Sequence, residues 1–411
     1  MQLYQDQALS RLLKHTYEHV LYYRNILEKI KSKDNQNFDR RHFEQMPILD
    51  KEMIRTHFNI LVSDDSSLRN PYVNTSGGST GEPVKFIQDK EYFQKNFGDK
   101  ILFGLLNGKL PGDRELKIWG SEQDMLEGTI GKKEKLINLV FNRHFVNSFI
   151  LDRNTLTICV EKLNNLRPVQ VWTYAESVYE LACFILREKL SVFCPKNIVT
   201  TAGVLYTDMR KKIKEAFPKS NVINQYGSRE VGAIGIETCG KEGMRIFNHS
   251  VLLEVAKDDG SIGRDGYGRL LVTSLINYSM PIIRFDIGDI GEIESTSHEY
   301  TGSFSVLKRL TGRVNAHIKK KNGDLIHGEY FTHLFYGKDW VKVFQVIQHA
   351  FDVLEFKIVI QDGCKKNDDD ITKMINDTHV VMGSGCDVKV SFVDEIHRQG
   401  SGKYQFVLSK V

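Results

Sequence analysis

Apolar residues in the first seventy positions recur at helical spacing: Leu3, Leu9, Leu12 and Leu13, then Val20, Leu21 and Ile26. That period predicts amphipathic helices, with Asp50 as the N-cap of a further one. A cluster of small and polar residues from Asn74 to Pro83 breaks the pattern, and a β-like run, Val84 to Ile87, follows it. Between about 115 and 225, short apolar runs alternate with longer amphipathic ones. The expected strands are Leu116–Trp119, His144–Ile150, Val169–Trp172, Asn197–Thr201 and Asn221–Asn224. The helices expected between them are Asn154–Leu166, Ala175–Leu190 and Thr207–Phe217. Such alternation argues for a mostly parallel sheet with covering helices.

Beyond Tyr226 the chain becomes strand-rich and punctuated by glycine, at Val251–Ala256, Arg269–Thr273, Ile282–Phe285 and Gly291–Glu294. This predicts an antiparallel or barrel-like subdomain. A polar stretch, Gly312-Arg313-Val314-Asn315, then precedes a tail of two pairing strands, Val341–Gln348 and Val353–Gln361, a helix, Asp368–His379, and a strand, Val388–Val393. With 411 residues the chain exceeds one typical core. The expected division is a large domain over 1–312 and a small one over 313–411.

Composition narrows the class without naming a chemistry. Hydrophobic residues at 41% and charged residues at 26% describe an ordinary globular protein. A net charge of +4 predicts neither a nucleic-acid footprint nor a membrane-surface patch. The densest basic run, Lys319-Lys320-Lys321, stands beside Asn322-Gly323-Asp324 and reads as a solvated turn. The six cysteines show no C-x-x-C pair, so a disulfide framework is not expected and a reducing cytoplasm is. No signal-peptide core and no stretch of ~20 apolar residues stand in the sequence, so membrane insertion is not expected.

Five segments carry candidate chemistry. Thr75-Ser76-Gly77-Gly78-Ser79-Thr80-Gly81 offers backbone N–H groups and hydroxyls to an anion, because small residues let the chain approach a ligand closely. It is not a Walker A loop, since no Gly-Lys-Ser/Thr ends it. Tyr226-Gly227-Ser228-Arg229-Glu230 places an aromatic, a glycine and a carboxylate where a base could stack and a metal ion could bind; alone it reads equally as a strand-ending turn. Asp289, after Asp286-Ile287-Gly288, suits a ribose diol, or is simply part of a turn between two strands. Arg313 lies in the polar stretch at the boundary, and Lys403 follows Gly400-Ser401-Gly402 near the C-terminus.

In this order the five segments resemble the adenylate-forming superfamily of acyl-CoA synthetases, adenylation domains and luciferases. The resemblance is strongest to the phenylacetate–CoA ligase family, in its capsular-polysaccharide-biosynthesis branch and the coenzyme F390 synthetases. Tyr22-Tyr23-Arg24 and Pro47-Ile48-Leu49-Asp50-Lys51 extend it towards the N-terminus. The resemblance implies an α/β fold, with a large N-terminal adenylate-forming domain of mixed sheets and a β-rich subdomain, and a small mobile α+β C-terminal domain.

It also implies roles for individual residues. Ser76 to Gly81 would be the phosphate loop, with Thr80 among its catalytic donors. Ala202 and Gly203 would lie against adenine, and Tyr226 would stack on it. Glu230 would bind Mg²⁺, Asp289 the ribose hydroxyls, Arg313 the ribose and phosphate. Asn315 would be the hinge, where the family usually has aspartate, and Lys403 would reach the α-phosphate. Trp172 and Tyr174 are candidates for the acyl pocket, or ordinary core aromatics. Val84 stands where many relatives carry lysine, with Lys85 next to it. Cys239 and His249 are too few for a structural zinc, and none is expected. The implied substrates are ATP with Mg²⁺, a carboxylic acid, and a thiol of CoA or a carrier protein. An amine or hydroxyl acceptor, or a binding module without catalysis, are the alternatives.

Overall fold

Parallel and antiparallel strands join into one hydrogen-bonded sheet whose direction changes at Asn221–Ser228. The computed structural model describes residues 2–411 apart from 31–37, 77–83, 120–136, 149, 152, 202–204, 206, 258, 295–303, 312–316, 323, 328–329, 332–333, 336–337, 339, 362 and 397–406. Among the described residues the large sheet has twelve strands. Its parallel half runs Arg143–Asn147, Glu115–Trp119, Gln170–Tyr174, Asn197–Thr201, Asn221–Ser228. The antiparallel half continues through Gly232–Glu237, Met244–Ile246, Val306–Thr311, Phe285–Glu294, Gly266–Ser274, Val251–Ala256 and Ile262–Gly263. Of the two expectations for this part, antiparallel or barrel-like, the strands are antiparallel, and they form an extension of the same sheet.

Every residue of Gln170–Tyr174 and of Asn197–Thr201 is buried, as strands covered on both faces must be. Helices Arg153–Leu166, Ala175–Arg187 and Thr207–Ala216 cover one face, where Leu156, Leu163, Val178, Leu181 and Ile213 meet Ile118, Val171 and Ile198. A helix over Lys90–Leu106, capped by the Asp89 carboxylate, brings Phe103 to the other face, against Trp172, Val199, Ile223 and Phe247.

The N-terminal helices Gln2–His19 and Leu21–Ile30 pack on the antiparallel half. Leu9, Leu12, Leu13 and Leu27 are at most 1% exposed, whereas Leu3 and Leu21 point outward at 73% and 48%. Gln5 donates to the carbonyls of Asn248 and Val251 at 3.1 and 3.0 Å, and Tyr23 to that of Pro281 at 3.1 Å. Asp50 caps Lys51–Thr56 as the sequence predicts, accepting the Met53 N–H at 2.7 Å. Arg284 locks this layer down. Its guanidinium meets Glu254 through two nitrogens at 3.0 and 2.7 Å, donates to the Glu44 and Met46 carbonyls, and lies over the Phe43 ring.

Near the C-terminus, the hairpin Val341–Ala350 and Val353–Ile360 is flanked by Val407–Ser409 and Asp387–Phe392, both parallel to their neighbours. The helix Asp368–Met382, capped by Asn367, packs on it, and residues between Ile318 and Val407 form their own apolar cluster. A three-stranded sheet joins His317–Lys319 and Leu325–His327 to Ile150–Leu151. Lys319 thus belongs to a strand, while Lys320 and Lys321 pair with Asp324 and Asp352. All six cysteines are free thiols. Among the described residues, no helix is long and apolar enough to cross a membrane.

Candidate nucleotide site

The register of the parallel half aligns Ile118, Thr173, Thr200 and Asn224 in one row across the sheet. Past that row the strands end at Trp119, Tyr174 and Thr201, while Asn221–Ser228 continues to Tyr226. This is the carboxyl edge of a parallel sheet, where open α/β folds bind ligands. Of the candidate segments, Tyr226–Glu230 meets Asp289 and the hairpin below Ser76 here.

Tyr226 is not in a turn. Its strand runs on to Ser228, and the turn comes at Arg229 and Glu230, before Gly232–Glu237 folds back antiparallel. Gly227 explains the misreading: glycine here serves close packing, since a Cβ would stand 2.7 Å from the Gly232 carbonyl oxygen. Gly227→Ala is expected to cost about 1–3 kcal/mol, as overpacking against backbone does. Urea titration checks this, and an unchanged midpoint would show that the two strands part easily.

Asp289 is not in a turn either. Phe285–Glu294 is one strand, with a bulge between its pairs Leu271↔Asp286 and Arg269↔Ile290. Gly288, at φ 80°, takes the left-handed backbone that the bulge needs. The Asp286 carboxylate accepts the Gly288 N–H at 2.9 Å and pairs with Arg269, so Asp286 is committed to the bulge. Asp289 is thereby aimed at the parallel edge, where its Oδ2 accepts the Tyr226 hydroxyl at 2.9 Å. Two candidates 63 residues apart in sequence are in direct contact.

The neck of the proposed phosphate loop is a hairpin, Tyr72–Thr75 with Lys85–Gln88. Ser76, 1% exposed, closes it: its N–H donates to the Val84 carbonyl and its Oγ accepts the Val84 N–H, both at 2.9 Å. Val84, where relatives have lysine, is thus a buried partner of that clasp. The sequence did not single out Gln88, which holds the hairpin to the next motif. Its side-chain oxygen accepts from Asn74, and its amide donates to the carbonyls of Arg229 and Glu230 at 2.7 and 3.4 Å.

Glu230 is 6% exposed, and its carboxylate makes no hydrogen bond or ion pair among the described residues, so it is available to a cation. Tyr92 stands near it on the helix Lys90–Leu106. Burial, with the negative charge of Glu230 and Asp99 adding, pushes the Tyr92 phenol far above its ordinary value, so Tyr92 is a neutral donor. One turn on, Asn96 accepts the Ala233 N–H at 3.3 Å. Their i, i+4 spacing was the available signal for Tyr92 and Asn96.

Trp172 and Tyr174 lie on one face of their strand, each 8% exposed. Trp172 packs on Phe103 and is part of the core cluster; Tyr174 stacks obliquely on Trp119 at 4.3 Å. Ser228 Oγ is buried and has no hydrogen-bond partner among the described residues. Thr75 occupies the end of its strand, half-buried. Gly77, Gly78, Ser79, Thr80, Gly81, Ala202, Gly203, Arg313, Asn315 and Lys403 lie outside the described residues. His249 is bound to Asp99 at 2.6 Å, and the exposed Cys239 lies elsewhere, near Asn107.

A two-way sheet with this carboxyl edge, followed by a small α+β unit, is the fold of the adenylate-forming ligases. Two structures of 2-hydroxyisobutyryl-CoA ligase share it across 98% of this chain. The complex with 2-HIB-AMP and CoA in the thioesterification state superposes with a TM-score of 0.63 at 17% identity, over 89% of that protein. The open conformation with the same ligands gives 0.60 at 16% identity, over 90% of it. Residues 318–410 match the family model of the CapK C-terminal domain. Protein CapK of Staphylococcus aureus is similar at 23% identity, over 99% of this chain and 89% of its own.

Proposed function

We propose that this protein is an AMP-forming ligase that activates a carboxylic acid as its acyl-adenylate, with ATP, and then passes the acyl group to a thiol such as that of CoA. The observation that carries this reading is the bond between Tyr226 and Asp289, which joins an aromatic platform and a diol-binding carboxylate at the sheet's carboxyl edge. The complex of 2-hydroxyisobutyryl-CoA ligase with 2-HIB-AMP and CoA supports the same order of steps. We place the nucleotide and the acid in residues 1–312 and a lid in 313–411, the latter supported by the separate apolar cluster there.

In the first step a carboxylate oxygen attacks the α-phosphorus of ATP in line and pyrophosphate departs. Two anions must meet, so the protein's work is positioning and charge neutralisation. Tyr226 offers its ring to the base and Asp289 its carboxylate to the ribose. The loop after Ser76 offers donors to the phosphates, while Gln88 fixes that loop's neck against the Glu230 turn. Glu230 fits a divalent cation, and Mg²⁺ bound there would offset phosphate charge. Arg313 and Lys403 complete the cationic side; Ala202 and Gly203 lie against adenine, and Asn315 is the hinge. Trp172 and Tyr174 are proposed to wall the acyl pocket. The phenylacetate–CoA ligase type, and a role in surface-polysaccharide synthesis with an amine or hydroxyl acceptor, rest on the sequence resemblance and the likeness to CapK.

The test is ATP–pyrophosphate exchange across a panel of carboxylic acids. Exchange with at least one acid supports the reading; ATP binding without exchange for any acid would make the protein a binding module. Asp289→Ala should weaken ATP binding by about 10- to 150-fold, the worth of a charged hydrogen bond. Tyr226→Phe keeps the ring and the Asp289 carboxylate while losing the hydroxyl that Asp289 accepts, so calorimetry should find a smaller loss. Equal losses would mean that Asp289 serves only to hold Tyr226.

A further inference from the structure

A cavity of about 340 Å³ opens between the first helix, the helix Lys90–Leu106 and the turn 275–278, and no candidate adenylation residue lines it. Its permanent charges are Arg11, Arg69 and Lys95 against a single carboxylate, Glu91. Ala8, Leu275 and Ile276 supply apolar wall.

The cations are held in place before any ligand arrives. Asp65 accepts from Nε and Nη2 of Arg69, at 3.0 and 2.5 Å, and Nη1 has no partner among the described residues. The Arg69 guanidinium also lies 5.5 Å from the centre of the Tyr278 ring. Arg11 stands beside Tyr278 in the cavity wall, and Lys95 meets Glu91 at 2.7 Å. Tyr278 is itself fixed, because His15 Nε2–H donates to its carbonyl at 2.9 Å. Burial lowers the His15 pKa, so the imidazole is neutral at neutral pH and holds the turn without adding charge. Arg69 and Lys95 are each offset by one carboxylate, whereas Arg11 meets none among the described residues, so the lining keeps a positive balance that an anion would neutralise.

We propose that this cavity binds a small organic anion: a phosphate or carboxylate carried on an apolar or aromatic body. The charged donors match the anionic group, and the apolar wall with the Tyr278 ring matches the body. The pocket is separate from the proposed adenylation site, and its occupancy does not depend on that reading.

Calorimetry with phenyl phosphate and with benzoate as probes, at ~0.05 M salt to limit screening, tests this. At least one probe should bind with one-to-one stoichiometry, and which binds tighter assigns phosphate or carboxylate. Arg11→Glu with Lys95→Glu, both at exposed positions, should weaken binding at least about 10-fold, as loss of charged hydrogen bonds does. The milder Arg11→Gln should weaken it less, and circular dichroism checks that each variant folds. Asp289→Ala should leave it unchanged. Absence of binding by both probes up to ~10 mM, equal affinity in the reversed variant, or loss of binding in Asp289→Ala would each overturn the proposal.

Discussion

Replacing Lys403 with alanine is expected to lower the adenylation half-reaction by about 10²-fold or more, the scale seen when one transition-state donor is removed. Under the proposed function, negative charge grows on the α-phosphate and on departing pyrophosphate, and a cation that meets it there acts on the transition state more than on bound ATP. ATP affinity should therefore change little, since Tyr226 and Asp289 belong to the other part of the chain. Lys403 falls between buried Ile396 and Val407, and Val407 pairs with Val346 in the C-terminal sheet. If the C-terminal unit turns between the half-reactions, Lys403 leaves the site before transfer, and transfer from a supplied acyl-adenylate should largely survive. Single-turnover kinetics of each half-reaction measure this. Equal damage to both steps would refute the turn, and undamaged adenylation would remove Lys403 from the site.

The second large effect is on stability. Arg284→Met should cost about 3–5 kcal/mol, the range for breaking a buried ion pair by removing one partner. Both side chains are nearly inaccessible, at 4% for Arg284 and 6% for Glu254. The variant leaves the Glu254 carboxylate desolvated and the carbonyls of Glu44 and Met46 without their donor. Changing Glu254→Leu as well should recover part of the loss, because the stranded charge is gone, yet not all of it, because those carbonyls remain orphaned. Urea unfolding of the single and double variants provides the comparison. A loss under ~1 kcal/mol in the single variant would mean that water reaches Glu254.

The parallel half was legible because its strands and helices have different apolar periods, and each expected strand there ends within four residues of the observed one. The errors sit at the candidate site. Ile150 belongs to a separate short strand rather than to the one before it, and Ile282–Phe285 with Gly291–Glu294 are replaced by one strand over Phe285–Glu294. Gly227 and Gly288 read as turns, although one serves a close approach of strands and the other a bulge inside a strand. Sequence shows that a glycine is required, not which backbone needs it. The helix Lys90–Leu106 was missed because its inward side mixes Tyr92, Asn96, Asp99 and Phe103, which weakens its apolar stripe. Gln88 was invisible for another reason: its partners lie 141 and 142 residues away.

The docking of the N-terminal helices on the antiparallel strands sets an order of events during synthesis. Gln5 waits for acceptors 243 and 246 residues downstream, and Tyr23 for one 258 residues on. At roughly 5–20 residues per second, translation takes about 12–50 s to supply those partners, during which Leu9, Leu12, Leu13 and Leu27 have no sheet to cover them. This early segment is thus among the last to find its place, and closing so long a loop is slow. A nascent chain of this protein presents an apolar, helix-prone stretch to whatever folding helper meets it at the ribosome.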